Sequence, residues 1–255
     1  MIASGRPPIP CFVLPHVPGG GAGSAHMAMD EALMDAVAAD GATAMLRTYS
    51  WAEPTLSLGY FQSIHEAEAD PRWQGVPIVR RPTGGGAIWH EAEVTYAVAL
   101  PASHPLARRP ADLYRAVHGA ISEALRCQGV AATRRGGAVG GGNRPFLCFA
   151  DRDPEDLVVA GSKVVGSAQR RRAGAILQHG SLLLVHSEVT PELPGVADLA
   201  GVGAAEAPWH ALLHALIPVA LDLAPRDQAT PPSVLARAAA LEQGTYRQPA
   251  WTRRR

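Results

Sequence analysis

Neither sign of charge prevails in this 255-residue chain. Lysine plus arginine number 23 and aspartate plus glutamate also number 23, so the formal net charge is zero. A protein that coats nucleic acid leaves a basic footprint. None is present, and nucleic acid is excluded as an expected partner. Cysteine is scarce: Cys11, Cys127 and Cys148 are too few and too scattered for a disulfide framework or a zinc knuckle. At least one of them stays unpaired within the chain. No His/Cys/Asp cluster has metal-ligand spacing, and no metal is expected. Long apolar runs are also missing, since nothing approaches the roughly 18 residues of a membrane span. The opening "MIASGRPPIPCFVLPHVPGGG" has no apolar segment followed by a small-residue cleavage site. The expected setting is cytoplasmic, with no membrane partner.

Glycine and proline, by contrast, are plentiful, at 26 and 22, and they punctuate the chain. Residues 1–24 read as irregular, with one strand around Cys11 to Leu14. Ser24 is placed to cap the helix "AHMAMDEALMDAVAAD", with Met29, Leu33 and Val37 on one face and Gly41 at its end. "TAMLRTYSW", "PTLSLGYFQ", "VPIVRR" and "EVTYAVALP" read as strands, the last with alternating Val94, Tyr96 and Val98. "ADLYRAVHGAISEALRCQG" is the clearest helix. Pro110 sits just inside its start, Gly129 just past its end, and Leu113, Val117, Ile121 and Leu125 recur every fourth residue. "TRRGGAVGGGNRP" is too glycine-rich to be regular, and Gly136 to Asn143 is expected to be a mobile loop. "DLVVAGSKVVGSAQ" reads as two strands turning at Gly161-Ser162, and "AILQHGSLLLV" as another strand. Helices at 207–223, interrupted at Pro218, and 233–243 close the chain. The pattern predicts an α+β fold, residues 25–255 forming one domain, with helices on one face as the simplest layering.

"RRPTGGGAIWH", Arg80 to His90, poses the chemical question. Three ordered glycines are costly in backbone entropy, so something must need bare backbone there. Neither GxxxxGK[ST] nor GxGxxG before a helix fits, because a strand follows. Either this is a sharp β-turn, or the flanking arginines hold a carbonyl or anionic group against it. Cys148 in "RPFLCFADRDPEDL" is by itself more often a buried small hydrophobe than a nucleophile. Lys163 lies one strand and turn later and can return towards the cysteine segment. An ammonium beside a thiol favours the attacking thiolate. His179, between apolar neighbours on a strand, reads as a hydrogen-bonded core residue rather than a base. Arg170 to Arg172 read as a solvated turn, and Arg253 to Arg255 as solvated too.

Taken together and in order, "MAMDEALM", "PTLSLGYFQ", "VRRPTGGGAIWHEAEVTYAVALP", "CFADRDPEDLVVAGSKVVGSAQRR", "GAILQHGSLLL" and "YRQPAWTRRR" resemble the landmarks of the lipoate-protein ligase and octanoyltransferase superfamily, related to biotin protein ligases. The likeness runs from about Ala25 to the end. It implies a biotin/lipoate protein ligase-like catalytic domain, a mixed or antiparallel sheet with flanking helices framing an acyl pocket. By position, Arg81, Thr83, Gly84, Gly85 and Gly86 wrap the acyl group. His90, Gly166, Ser167, Ala168 and His179 are implied to bind substrate, and Lys163 to sit beside the reacting carbonyl. Cys148 before Phe149 resembles the cysteine/lysine octanoyltransferases and is the implied nucleophile. Two positions depart from that pattern: Gly86 stands where arginine is usual, a ligase-like feature, and Glu91 replaces aspartate after His90.

The resemblance implies octanoyl transfer from acyl carrier protein, through a Cys148 thioester, to the lysine of lipoyl-domain proteins such as glycine cleavage H protein or 2-oxoacid dehydrogenase E2. One thioester replaces another, so no cofactor is expected. Burying the octanoyl tail yields roughly 5 kcal/mol at about 0.8 per methylene, which selects chain length only coarsely. The alternative is a lipoate-protein ligase needing ATP and Mg²⁺, acting alone or with an accessory chain. A third is a non-catalytic acyl-binding or scaffold protein of the same fold.

Overall fold

The computed structural model describes residues 7–17, 20–137, 144–151, 153–172, 174–201 and 208–255. Most of the glycine-rich stretch 136–143 lies outside the described residues.

The chain begins with strand β1 (Ile9–Val13), helix α1 (Gly23–Asp40) and strands β2 (Ala44–Tyr49) and β3 (Thr55–Leu58). A short helix α2 (Ile64–Ala69) precedes β4 (Ile78–Arg80), β5 (Ile88–His90) and the long β6 (Glu93–Pro101). Helix α3 (Pro110–Cys127) leads to β7 (Thr133–Arg134), β8 (Leu157–Val159), β9 (Ser162–Arg172) and β10 (Ala175–Leu183). The remainder is α4 (Val196–Ala200), α5 (Trp209–Ala220), β11 (Leu223–Asp227), α6 (Pro232–Leu241) and α7 (Pro249–Thr252).

Eight strands form one mixed sheet in the order β11-β1-β2-β6-β10-β9-β8-β7. β11, β1 and β2 are parallel, and from β2 to β7 every pairing is antiparallel. β1, inside the segment read as otherwise irregular, therefore belongs to the main sheet. A smaller sheet, β4-β3-β5, stands beside it and carries the glycine loop between β4 and β5. All nine residues of both β6 and β10 are buried, which is possible only if both sheet faces are covered. Helices accordingly lie on both faces, not one. Val94, Tyr96, Val98 and Leu100 meet α3 and α5 on one side, while Ala97 and Ala99 meet α1 on the other. Among the described residues no helix is long and apolar enough to cross a membrane.

Several local expectations change. Ser24 does not cap α1, because the helix already begins at Gly23, where an added Cβ would press on Trp51, Thr55 and Val79. The Ser24 hydroxyl instead donates to Glu242 (2.8 Å). Gly41 does end the helix, at φ 69°. The β8–β9 hairpin turns on Ala160 (φ 48°) and Gly161 (φ 82°), one residue earlier than read, and Ser162 opens β9. α5 runs through Pro218 and stops two residues later. Arg170 to Arg172 are strand residues: Arg172 pairs with Glu31 and Asp35, and Arg170 donates to the Pro82 carbonyl. Arg253 to Arg255 are exposed, as expected, though Arg253 pairs with Glu68 and Arg254 lies over the rings of Tyr60 and Trp251.

Candidate active site

The β4–β5 loop is shaped from beneath by Arg81. Its buried guanidinium donates to the Ser57 carbonyl (2.8 Å) and hydroxyl (2.6 Å), and to the Gly84 (3.3 Å) and Gly86 (2.7 Å) carbonyls. The arginine therefore acts as the template on which the loop folds. Burial lowers its pKa; the Cys148 sulfur is the first of the charges opposing that fall. Gly85 takes φ 94°, and its carbonyl lies where a side chain on Gly59 would be. At Gly86 an added Cβ would stand 2.9 Å from the Cys148 nitrogen and 3.0 Å from the Phe146 oxygen. Residue 86 is glycine because the cysteine segment docks directly on the loop. Ala87 donates to the Phe146 carbonyl (2.8 Å), and Cys148 donates back to Ala87 (2.7 Å).

Cys148, half-buried, opens a single 3₁₀ turn. Lys163 reaches it from the start of β9 across the β8–β9 hairpin. Its Nζ lies 3.7 Å from Cys148 Sγ, and it donates to the Cys148 carbonyl (2.9 Å) and the Asp156 carboxylate (2.8 Å). Burial alone would depress the lysine pKa; the Cys148 sulfur and Asp156 outweigh it and hold the ammonium above its ordinary value. Burial raises the Asp156 pKa, with Lys163 pulling the other way. Lys163 and Asp156 form a buried ion pair. Gly166 is glycine because a Cβ there would meet the Lys163 side chain at 2.7 Å.

From Cys148 a narrow pocket runs across the main sheet. Register places Gly166 opposite Ser181, Ser181 opposite Thr95 and Thr95 opposite Tyr49. That row crosses three strand intervals, about 14 Å at roughly 4.8 Å each. Small side chains pave it, and Met27, Tyr49, Trp51 and Ile88 supply apolar walls. Gly84, Gly85, Ala168 and His179 line it too.

Two buried polar networks fix those walls. His179 hydrogen-bonds Thr83 (2.6 Å) and Asp30 (2.8 Å), and Asp30 is paired with Arg47 (3.0 Å). His90 is held between Ser57 (2.6 Å) and Glu93 (2.6 Å) and stacked on Trp51 at 3.7 Å. Burial lowers the His90 pKa against the pull of Glu93. Burial works to raise Glu93, but His90 and the hydroxyls of Thr95 and Ser181 prevail and keep it ionised. Ser167 turns its hydroxyl away from these networks, to His118 (2.7 Å) and Tyr96 (2.7 Å).

The structure thus gathers Cys148, Lys163, Gly86 and Gly166 at one point. It places Gly84, Gly85, Ala168, His179 and His90 along the cavity, and commits Arg81, Thr83 and Ser167 to internal hydrogen bonds. Sequence reasoning missed Asp156 and Asp30. Asp156 had a local signal, an acid at the head of the apolar strand paired with the lysine strand; Asp30 had none, since its partners are 17 and 149 residues away in the chain. Among the described residues no group of His, Cys, Asp and Glu could hold a metal ion.

Comparison with known proteins gives the family and the fold. Residues 23–190, about two thirds of the chain, match the family described as the lipoyl protein ligase A/B catalytic domain. The octanoyltransferase LipM of Geobacillus kaustophilus is 40% identical over 169 residues, 62% of this chain and 60% of the relative. That of Staphylococcus aureus is 38% identical over 167 residues, again 62% and 60%. The match thus spans about 60% of the length of these curated relatives. A candidate lipoate protein ligase from T. acidophilum superposes with a TM-score of 0.77 at 22% identity, covering 97% of this chain and all of the other. A lipoate-protein ligase A bound with ATP gives 0.75 at 22%, covering 96% and 98%. At that identity the two structures speak to fold alone.

Proposed function

We propose, from the premise that this chain belongs to the lipoyl protein ligase A/B catalytic domain family, that it transfers an octanoyl group to the lysine of a lipoyl domain, in the cytoplasm and without a nucleotide. The carrying observation is the thiol of Cys148, 3.7 Å from the Lys163 ammonium at the mouth of a cavity with apolar walls. The Cys148 thiol gives up its proton, the thiolate attacks the carbonyl of octanoyl carrier protein, and the carrier sulfur leaves with the C–S electron pair and takes up that proton. The acceptor amine then attacks the Cys148 thioester. The C–S bond breaks, the sulfur keeps the electron pair, and Lys163 is the near proton source for it. The proton lost by the nascent amide nitrogen restores the lysine. Lys163 also faces the oxyanion of each tetrahedral intermediate. The amides of Gly84, Gly85 and Gly86 have no acceptor among the described residues, which makes them further donors for the acyl oxygen. His179 and His90 serve as walls, locked by Asp30 and Glu93. The acceptor is a lipoyl domain such as that of glycine cleavage H protein or 2-oxoacid dehydrogenase E2.

The test is intact mass after incubation with octanoyl carrier protein without ATP. A hydroxylamine-labile octanoyl adduct, lost in Cys148→Ala, supports the reading. Absence of the adduct, together with acceptor modification from free acid only when ATP and Mg²⁺ are supplied, refutes it in favour of a ligase. Absence of both refutes it in favour of an acyl-binding protein.

A further inference from the structure

Four arginines crowd the loop that joins β3 to α2. Arg80 is fully buried beneath it and donates to the carbonyls of Gly59 (2.8 Å), Gln62 (2.7 Å) and Thr252 (2.7 and 3.0 Å). Above the same loop, the guanidiniums of Arg254 and Arg170 lie 4.3 and 5.4 Å from the centroid of the Tyr60 ring. Arg255 lies 5.2 Å from the Phe61 ring, which is 68% exposed. No aspartate or glutamate among the described residues pairs with Arg170, Arg254 or Arg255, although acids and bases balance over the whole chain. Burial, and then the charges of Arg254 and Arg255, lower the pKa of Arg80. The positive charge here is therefore local and has no acidic side chain paired with it among the described residues. It also borders the reaction centre: Tyr60 donates to the Thr83 carbonyl (2.8 Å), Gln62 to that of Phe146 (3.0 Å), and Phe61 overhangs Gly84.

We propose that this rim is the docking site for the acyl donor, with Arg254 and Arg170 taking the phosphodiester of the carrier's pantetheine arm and Phe61 covering the arm's apolar flank. The inference rests on the transfer reading above and adds the surface by which the donor is recognised. A guanidinium suits a phosphodiester because its fork of N–H groups meets two oxygens at once, and the Tyr60 face keeps both forks oriented. The site lies outside the acyl cavity, beside its glycine roof, where an arm bound through its phosphate can lead the thioester to Cys148.

Arg254→Glu is the primary variant, because that side chain makes no hydrogen bond within the chain; Arg170→Gln is the second. Expected is a rise of about tenfold or more in KM for octanoyl carrier protein, the loss of one charge-assisted contact. The kcat and the turnover of octanoyl-pantetheine, which has no phosphate, stay as they were. The KM difference shrinks with added salt. Calorimetry with the acyl-free carrier gives a readout independent of catalysis: binding is stronger with the phosphopantetheine arm attached than without it, and Arg254→Glu abolishes that difference. The proposal falls if both donors lose activity alike, if the carrier KM is unchanged, or if the acceptor KM rises in its place. Failure of wild-type protein to form any adduct, while carrier binding still responds to Arg254→Glu, would sink the transfer reading and leave the docking surface standing.

Discussion

Gly84 and Gly86 belong to one triplet yet face different surroundings, and alanine should separate them. At Gly86 the new Cβ stands 2.9 Å from the Cys148 nitrogen and 3.0 Å from both its Cα and the Phe146 oxygen. Ordinary contact begins near 3.4 Å, so the cysteine segment must retreat by about half an ångström. That retreat strains the two backbone hydrogen bonds, 2.8 and 2.7 Å, that fasten Phe146 and Cys148 to Ala87. At about 1 kcal/mol each the loss approaches 2 kcal/mol, or a melting temperature lower by about 4–8 °C for a chain of this size. A nucleophile displaced on that scale loses about 10- to 100-fold in rate. At Gly84 the Cβ meets nothing nearer than the Phe61 ring at 3.9 Å, and the cysteine segment stays put. The assay is rapid-quench mass spectrometry of Cys148 acylation, with thermal melts and iodoacetamide alkylation of the same thiol. Gly86→Ala should slow acylation and melt early; Gly84→Ala should melt and alkylate like wild type. Equal effects of the two, or none at Gly86, would refute the docking argument.

Asp156→Asn leaves the Lys163 ammonium buried without its counter-charge, destabilising by about 3 kcal/mol. It also lowers the lysine pKa, so the alkaline limb of the acylation pH profile should move to lower pH, a displacement a purely structural role would not produce. His118 is held neutral, its pKa lowered by burial to about 4. The stability this gives is full above the unfolded value near 6.5 and lost as pH falls towards 4, up to about 3 kcal/mol. Urea titrations should show His118→Gln with a shallower decline across that window. Arg80→Lys cannot make the paired donation to Thr252, and the terminal turn should loosen, seen as faster tryptic cleavage at Arg247 with the core intact.

How much of this was readable beforehand depended on range. α3 announced itself through a fourfold apolar repeat bracketed by Pro110 and Gly129, both local signals. The start of α1 did not, because it is set by how closely Gly23 packs on Trp51 and Val79 rather than by a capping hydroxyl. The hairpin turn was off by one residue, since Ala160 accepts a positive φ that sequence rules reserve for glycine. Cys148 and Lys163 were paired on the spacing of a strand and a turn, a short enough reach for sequence to carry. The different fates of Arg80 and Arg81 were not legible: neighbours at the end of β4, they point to the terminal turn and to the glycine loop, a divergence that only distant carbonyls define. Arg170 and Arg172 looked solvated because their carbonyl and anionic partners lie far off in the chain; Arg171 between them is exposed, as read.

The chain of contacts from Thr83 through His179 and Asp30 to Arg47 has a mechanical consequence. It rivets the glycine roof to the sheet and to helix α1 through groups that would be left uncompensated in the interior if the roof rose. The compartment therefore does not open like a lid. On the transfer reading, an acyl guest is expected to enter lengthwise past the sulfur, and a donor branched next to the carbonyl is expected to acylate Cys148 more slowly than the straight chain.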